Sequence, residues 1–258
     1  MNKGETKALL DSWLEKYNHQ HFIEEDPISV PHLFTRKEDI ETSGFFSSIL
    51  AWGQRKTSLK NTNRLMQIME MQPYEFVVSA GKNELKALEA FVHRTFNGTD
   101  CITLVLGLRN IYLEHGGLEP VAASGFNKEG IFGAIEAIRS ALLSVPHEKR
   151  TGKHLPSPAK GSAAKRINMY FRWMVRKDYA GIDFGIWNSI PASDLVCPLD
   201  VHTGRVARAL GLLSDKNNSW DAACALTNSL KEFDENDPVK YDIALFCGGL
   251  FEHKGWIP

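Results

Sequence analysis

Apolar residues recur at spacings of three and four along nearly the whole chain, and this limits the fold more than any other feature. Ala8-Leu9-Leu10, Trp13-Leu14 and Tyr17 trace one helical stripe; Phe45, Phe46, Ile49 and Leu50 trace another. The same period predicts helices over 39–52, 85–91, 102–113, 131–143, 162–177, 201–213, 220–233 and 238–251. A further helix, capped by Thr57 or Ser58, carries Leu65, Ile68 and Met69. Gly116-Gly117 is a stop after one of these helices. The stretch 145–161 is rich in Pro, Gly, Lys and His without apolar periodicity and reads as a loop. Alternating patterns are sparse, and Phe76-Val77-Val78 is too short for a useful strand. The expected fold class is all-α.

Composition narrows the function classes. With 258 residues, 43% apolar and 24% charged, the chain suits one large domain or two small ones and is neither disordered nor collagen-like. A formal net charge of −1 excludes a polybasic, histone-like binder. The charge is uneven, however. Between His147 and Lys177 stand nine basic residues (Lys149, Arg150, Lys153, Lys160, Lys165, Arg166, Arg172, Arg176 and Lys177) against the single acid Glu148, a net of +8 that leaves −9 for the remainder. A phosphate backbone would meet that segment favourably; a solvated loop and an outward-facing basic helix surface would read the same way. The opening residues lead into a charged amphipathic stretch, and no apolar run is long enough to span a bilayer, so a cytoplasmic protein away from membranes is expected. Cys101, Cys197, Cys224 and Cys247 lie far apart without a C-x-x-C pair and read as reduced thiols. His19 and His21 lack a nearby third ligand, so no metal is expected.

Two segments carry chemistry. One is Lys165-Arg166-Ile167-Asn168, at the start of a predicted helix. The other runs Cys197-Pro198-Leu199-Asp200-Val201-His202-Thr203-Gly204-Arg205, with Leu210-Gly211 beyond. The second resembles the aspartate motif of the helix-hairpin-helix (HhH-GPD) DNA glycosylase superfamily, with Pro198, Asp200, His202, Arg205, Leu210 and Gly211 in the matching positions. The first is similar to the Lys-Thr-Ala-Asn string of lyase-competent members. An earlier element, Phe46 to Thr57, resembles the superfamily's Leu-Leu-Ser-x-Gln segment and makes Gln54 the matching glutamine. The three elements keep the superfamily's order and span most of the chain. In style the sequence is similar to the archaeal 8-oxoguanine glycosylase branch, and as a whole it resembles a bacterial family of conserved hypothetical proteins.

The resemblance implies a single glycosylase-like domain over 1–258. Its two packed helical subdomains would be 40–145, with the Gln54 element, and 146–258 plus the N-terminal helix, with a cleft between them. It implies base-excision repair of an oxidised purine such as 8-oxoguanine in double-stranded DNA, by a monomer without a cofactor. Asp200 and Lys165 would be catalytic, and Gln54, Lys160, Gly161, Arg166 and Arg205 would hold DNA. Trp52, Trp173, Asp183, Trp187 and His202 would line the lesion pocket. The chain departs from the family pattern at the hairpin, where Leu155-Pro156-Ser157-Pro158-Ala159-Lys160-Gly161 replaces Leu-Pro-Gly-x-Gly. It departs again at 178–197, which reads as an insertion.

The chemistry agrees with the pairing. Breaking an N-glycosidic bond develops positive charge on the sugar, which a carboxylate near C1′ stabilises. An amine at the same carbon can form a Schiff base and cleave the strand by β-elimination. The target base must first leave the stack. Each residue also has a plainer reading. Asp200 before a helix is an N-cap, Lys165 a surface lysine with Lys160 as its competitor, and the tryptophans core. A monofunctional glycosylase and a non-catalytic DNA-binding scaffold remain as alternatives, together with an unrelated hydrolase.

Overall fold

The computed structural model describes Met1–Glu252. Within these residues the chain is all-α, with one minimal hairpin. The helices are α1 (Lys3–Tyr17), α2 (Lys37–Leu50), α3 (Arg55–Ile68), α4 (Pro73–Ser79) and α5 (Lys82–Lys86). The antiparallel strands β1 (Val92–His93) and β2 (Phe96–Asn97) follow, pairing Val92 with Asn97 and His93 with Phe96. Then come α6 (Gly98–Glu114), α7 (Leu118–Leu142), α8 (Lys165–Val175), α9 (Val201–Ala209), α10 (Trp220–Lys231) and α11 (Tyr241–Cys247). No described helix is long and apolar enough to cross a membrane.

The chain divides into two compact units. One is contiguous, Glu25–Pro156, and holds α2–α7. Its core is apolar and fully buried, with Phe45, Phe46, Ile49 and Leu50 of α2 and Leu104, Val105 and Leu108 of α6. α6 starts with a capping box, in which Asn97 accepts from the Asp100 amide and Asp100 accepts from the Asn97 amide. Asp100 is wholly buried and also accepts from Arg150 Nη1 and Thr151 Oγ1, each at 2.8 Å, which ties the segment after α7 to the start of α6. α7 is two helices joined at a break, where Glu129 leaves helical geometry and Gly130 takes φ +59°. At this fold Gly125 and Gly133 touch backbone to backbone; a Cβ on Gly125 would lie 2.2 Å from the Gly133 carbonyl oxygen.

The other unit combines Met1–Glu24 with the chain from Ser157 onward. α1 carries a capping box of Asn2 and Glu5 and packs on α11. Tyr241 donates its hydroxyl to Asp11 at 2.8 Å, and Gly248 lies directly beneath the Trp13 ring. The segment after α8 folds back on that helix, with the Phe184 amide donating to the Trp173 carbonyl and the Trp187 amide to that of Met174, both at 2.8 Å. The stretch 178–197, read as an insertion, is thus a strap along the C-terminal half of α8.

The observed elements correct several sequence expectations. α3 starts at Arg55 behind an extended Gln54, without a hydroxyl cap from Thr57 or Ser58, because Gly53 turns the chain at φ +88° four residues before Thr57 and five before Ser58. Phe76-Val77-Val78 is helical within α4. The helix expected over 85–91 is only the five residues of α5. The 238–251 pattern divides into a 3-10 turn, α11 and a π-helical turn over Gly248–Glu252.

Candidate active site

Lys165 and Asp200 meet. Lys165 is the first residue of α8, and Asp200 is the N-cap of α9. Lys165 Nζ lies 3.6 Å from Asp200 Oδ2, with the two side chains 27% and 26% exposed. They are sheltered enough to hold a fixed geometry and open enough to reach a ligand. Asp200 divides its two oxygens between tasks. Oδ1 accepts from the amides of His202 at 2.8 Å and Thr203 at 2.9 Å, while Oδ2 faces the amine. The capping reading and the chemical reading of this residue therefore coexist. The start of α9 favours the carboxylate, since unpaired amides and the macrodipole present positive charge there.

The backbone leading to Lys165 is unusual. Gly161 takes φ +76° and ends a 3-10 turn over Pro158–Lys160. The Trp220 amide donates to its carbonyl at 3.2 Å, anchoring the turn to α10. Ala164, the residue before Lys165, also sits in the left-handed region at φ +50°. That conformation costs a non-glycine residue of order 1 kcal/mol. Buried Asn168 holds the bend by donating Nδ2 to the Ala163 carbonyl at 3.0 Å. The strain is placed directly before the amine.

Behind the pair lies a buried ionic cluster that the sequence did not disclose. Arg172 stands seven residues after Lys165, two turns along the same face of α8. Its guanidinium donates to Asp183 at 3.2 Å and to Asp242 of α11. Arg176, one turn further, pairs with Asp183 at 2.9 Å and Asp237 at 2.8 Å and lies 3.6 Å from Asp178. Burial, offset in part by Arg172 and Lys165, pushes the Asp242 carboxyl up to about 6. Burial also draws the Arg166 guanidinium, beside Lys165, down to about 10.

The remaining expected site residues are distributed as follows. Lys160, Gly161, His202 and Arg205 are exposed on this unit, on the turn before α8 and the first turns of α9. Trp173, Trp187 and Asp183 are buried. Trp173 and Trp187 are core residues, and Trp187 meets Tyr170 and Phe171 edge-on with centroids 5.5 and 5.6 Å away. Asp183 is the shared counter-ion of Arg172 and Arg176. The basic segment is corrected too: Arg150, Arg172 and Arg176 are engaged by carboxylates and do not form an outward-facing basic surface. Lys149, Lys153, Lys160 and Lys177 are exposed. In the contiguous unit, Gln54 is exposed at the start of α3. The nearby Trp52 ring lies 4.9 Å below the Arg94 guanidinium, and its buried Nε1 lacks a hydrogen-bond partner. Arg172 and Asp242 are the residues that sequence reasoning missed. The i, i+7 spacing from Lys165 was the signal for Arg172, and nothing local marked Asp242.

Fold and site define an all-helical protein with a lysine–aspartate pair set at two helix N-termini over a buried salt-bridge cluster. The chain belongs to the family described as "Protein of unknown function (DUF2400)", which matches residues 26–251. No curated protein and no solved structure matches it.

Proposed function

We propose that the protein is a DNA glycosylase with lyase activity, acting on an oxidised purine such as 8-oxoguanine flipped out of double-stranded DNA. The observation that carries this reading is the 3.6 Å approach of Lys165 Nζ to Asp200 Oδ2 at two helix starts. The likeness of the flanking residues to the helix-hairpin-helix glycosylases supports it. Asp200 Oδ2 stabilises the positive charge that grows on the sugar as the bond from C1′ to the base breaks. Lys165 Nζ bonds to C1′, its protons pass to the departing base and to the ring oxygen, and the opened sugar is held as an iminium. Loss of a C2′ proton then expels the 3′ phosphate and cleaves the strand. Lys160, Gly161, Arg166 and Arg205 serve the phosphate backbone, and Gln54, in the contiguous unit, is a further duplex contact. His202, on the first turn of α9, serves the pocket for the flipped base.

Borohydride trapping tests the reading. Wild type, Lys165→Gln and Asp200→Asn are incubated with duplexes carrying 8-oxoguanine, an abasic site, uracil or no damage. A covalent adduct on one damaged duplex that disappears in Lys165→Gln is the expected result. Tight duplex binding without adduct or base release on every duplex would replace this reading by a non-catalytic DNA-binding scaffold.

A further inference from the structure

Two charged residues behind Lys165 and Asp200 have no part in the chemistry above, yet their placement serves it. Arg172 is on the Lys165 face of α8 and spans from the strap, through Asp183, to α11, through Asp242. All three side chains are buried. With Arg176 and its partners Asp178 and Asp237 included, two guanidiniums meet four carboxylates, and the excess of negative charge in a water-poor interior acts on its neighbours far more strongly than charge at the surface. The groups facing Asp242 are Arg172 and Lys165 from α8, Asp200 from the cap of α9 and Asp183 from the strap. Cys197 completes the surroundings, its thiol pushed up by burial and by Asp242. On the neighbouring α1, Asp11 is occupied by Lys7 and by the hydroxyl of Tyr241.

We propose that Arg172 and Asp242 are a positioning pair for the Lys165–Asp200 site, holding α8 against α11 and setting, by their balance of charge, when the Lys165 amine gives up its proton. The proposal rests on the reading of Lys165 as nucleophile. Removing the Asp242 charge leaves the site facing a less compensated guanidinium, which disfavours the ammonium form of Lys165. Removing the Arg172 charge leaves the carboxylates in excess and favours it. A purely structural salt bridge would weaken the fold in both variants without opposite electrostatic signs.

The test compares Asp242→Asn, Arg172→Met and the conservative Asp242→Glu in the full chain. Two quantities are read across pH: the rate of borohydride-trapped adduct formation on the responsive duplex, and the titration of Lys165 followed by NMR of ¹³C-methylated lysines, assigned with Lys165→Arg. The expected result is a shift of both midpoints by about one pH unit downward in Asp242→Asn. Asp242→Glu returns close to wild type, and Arg172→Met moves upward. If Arg172→Met does not fold, Asp242→Asn and its Glu rescue decide alone. Unchanged midpoints in Asp242→Asn, with only the melting temperature lowered, overturn the proposal. If wild type forms no adduct on any duplex, the glycosylase reading fails, while the Lys165 titration still accepts or rejects the electrostatic pairing.

Discussion

Asp200 is the residue at which stability and chemistry can be separated by choice of substitution. Its Oδ1 caps α9 through two amides, and its Oδ2 faces Lys165. Asparagine keeps an oxygen for the amides and is as good an N-cap as aspartate, but it places an amide donor against the lysine and removes the charge. The loss of stability is then limited to the dipole and ion-pair contributions, about 0.5–1 kcal/mol for side chains a quarter exposed. Alanine removes the cap as well and costs about 1–2 kcal/mol. In a chain of this size each kcal/mol corresponds to about 2–4 °C in melting temperature. Chemistry orders the same variants differently. Under the proposed chemistry both lose the carboxylate that would meet the cationic sugar, and both are expected to lose about 100-fold or more in single-turnover base release. The assay pairs denaturant unfolding with excision under enzyme excess. If Asp200→Asn releases base at the wild-type rate while Asp200→Ala is merely less stable, Asp200 is a cap alone and the proposed chemistry falls.

Further outcomes follow from other parts of the structure. The Asp242 carboxyl, raised from an ordinary 3.8 to about 6, favours the folded state when protonated. Its contribution is full below 3.8 and is lost as pH rises through about 6; wild type is expected to lose about 1 kcal/mol more than Asp242→Asn between pH 5 and pH 7, measured by urea unfolding. A Cβ on Gly248 would lie 2.3 Å from Trp13 Cζ3, so Gly248→Ala is expected to cost about 1–3 kcal/mol, read as a lower melting temperature. Gln54 is exposed and its side chain makes no cap bond, so Gln54→Ala should change stability by less than about 0.5 kcal/mol while weakening duplex binding in a fluorescence titration. Of the four thiols, Cys224 is the half-buried one and the others are buried, so a thiol reagent should modify Cys224 first in the native protein, as mass spectrometry of early time points would report.

Local patterns in the sequence disclosed the helices and one pair of residues. Helix existence follows from apolar spacing, so α1, α2, α6 and α10 were legible with ends displaced by a few residues. The first half of α7 was not, because Ala122, Ala123, Ser124 and Gly125 give little apolar contrast along that stretch. The β1–β2 hairpin escaped because two residues per strand cannot establish an alternation. Lys165 and Asp200 were legible because the residues around them repeat a recognisable string and each stands at a helix start. Trp173 and Trp187, expected at a lesion pocket, are buried in the core, where each ring removes more water-exposed area than most side chains can. Arg172 and Asp242 meet across 70 positions of sequence. A bond of that kind leaves no local trace, and in the sequence Arg172 read as one more charge on a basic surface.

The unit that bears Lys165 and Asp200 is made from both ends of the described chain, and this orders events during synthesis. Glu25–Pro156 leaves the ribosome as one contiguous stretch containing its own core and can fold as soon as it emerges. α1 is made before it but has no docking surface of its own. Asp11 waits for Tyr241, Trp13 for Gly248, and Lys16 and Tyr17 for Glu252. Closing so long a loop costs only slightly more entropy than closing a short one, so the delay is one of time more than of energy. α1 is translated ahead of Glu25–Pro156 yet docks after it, and nascent chains halted before Tyr241 would carry α1 without these contacts.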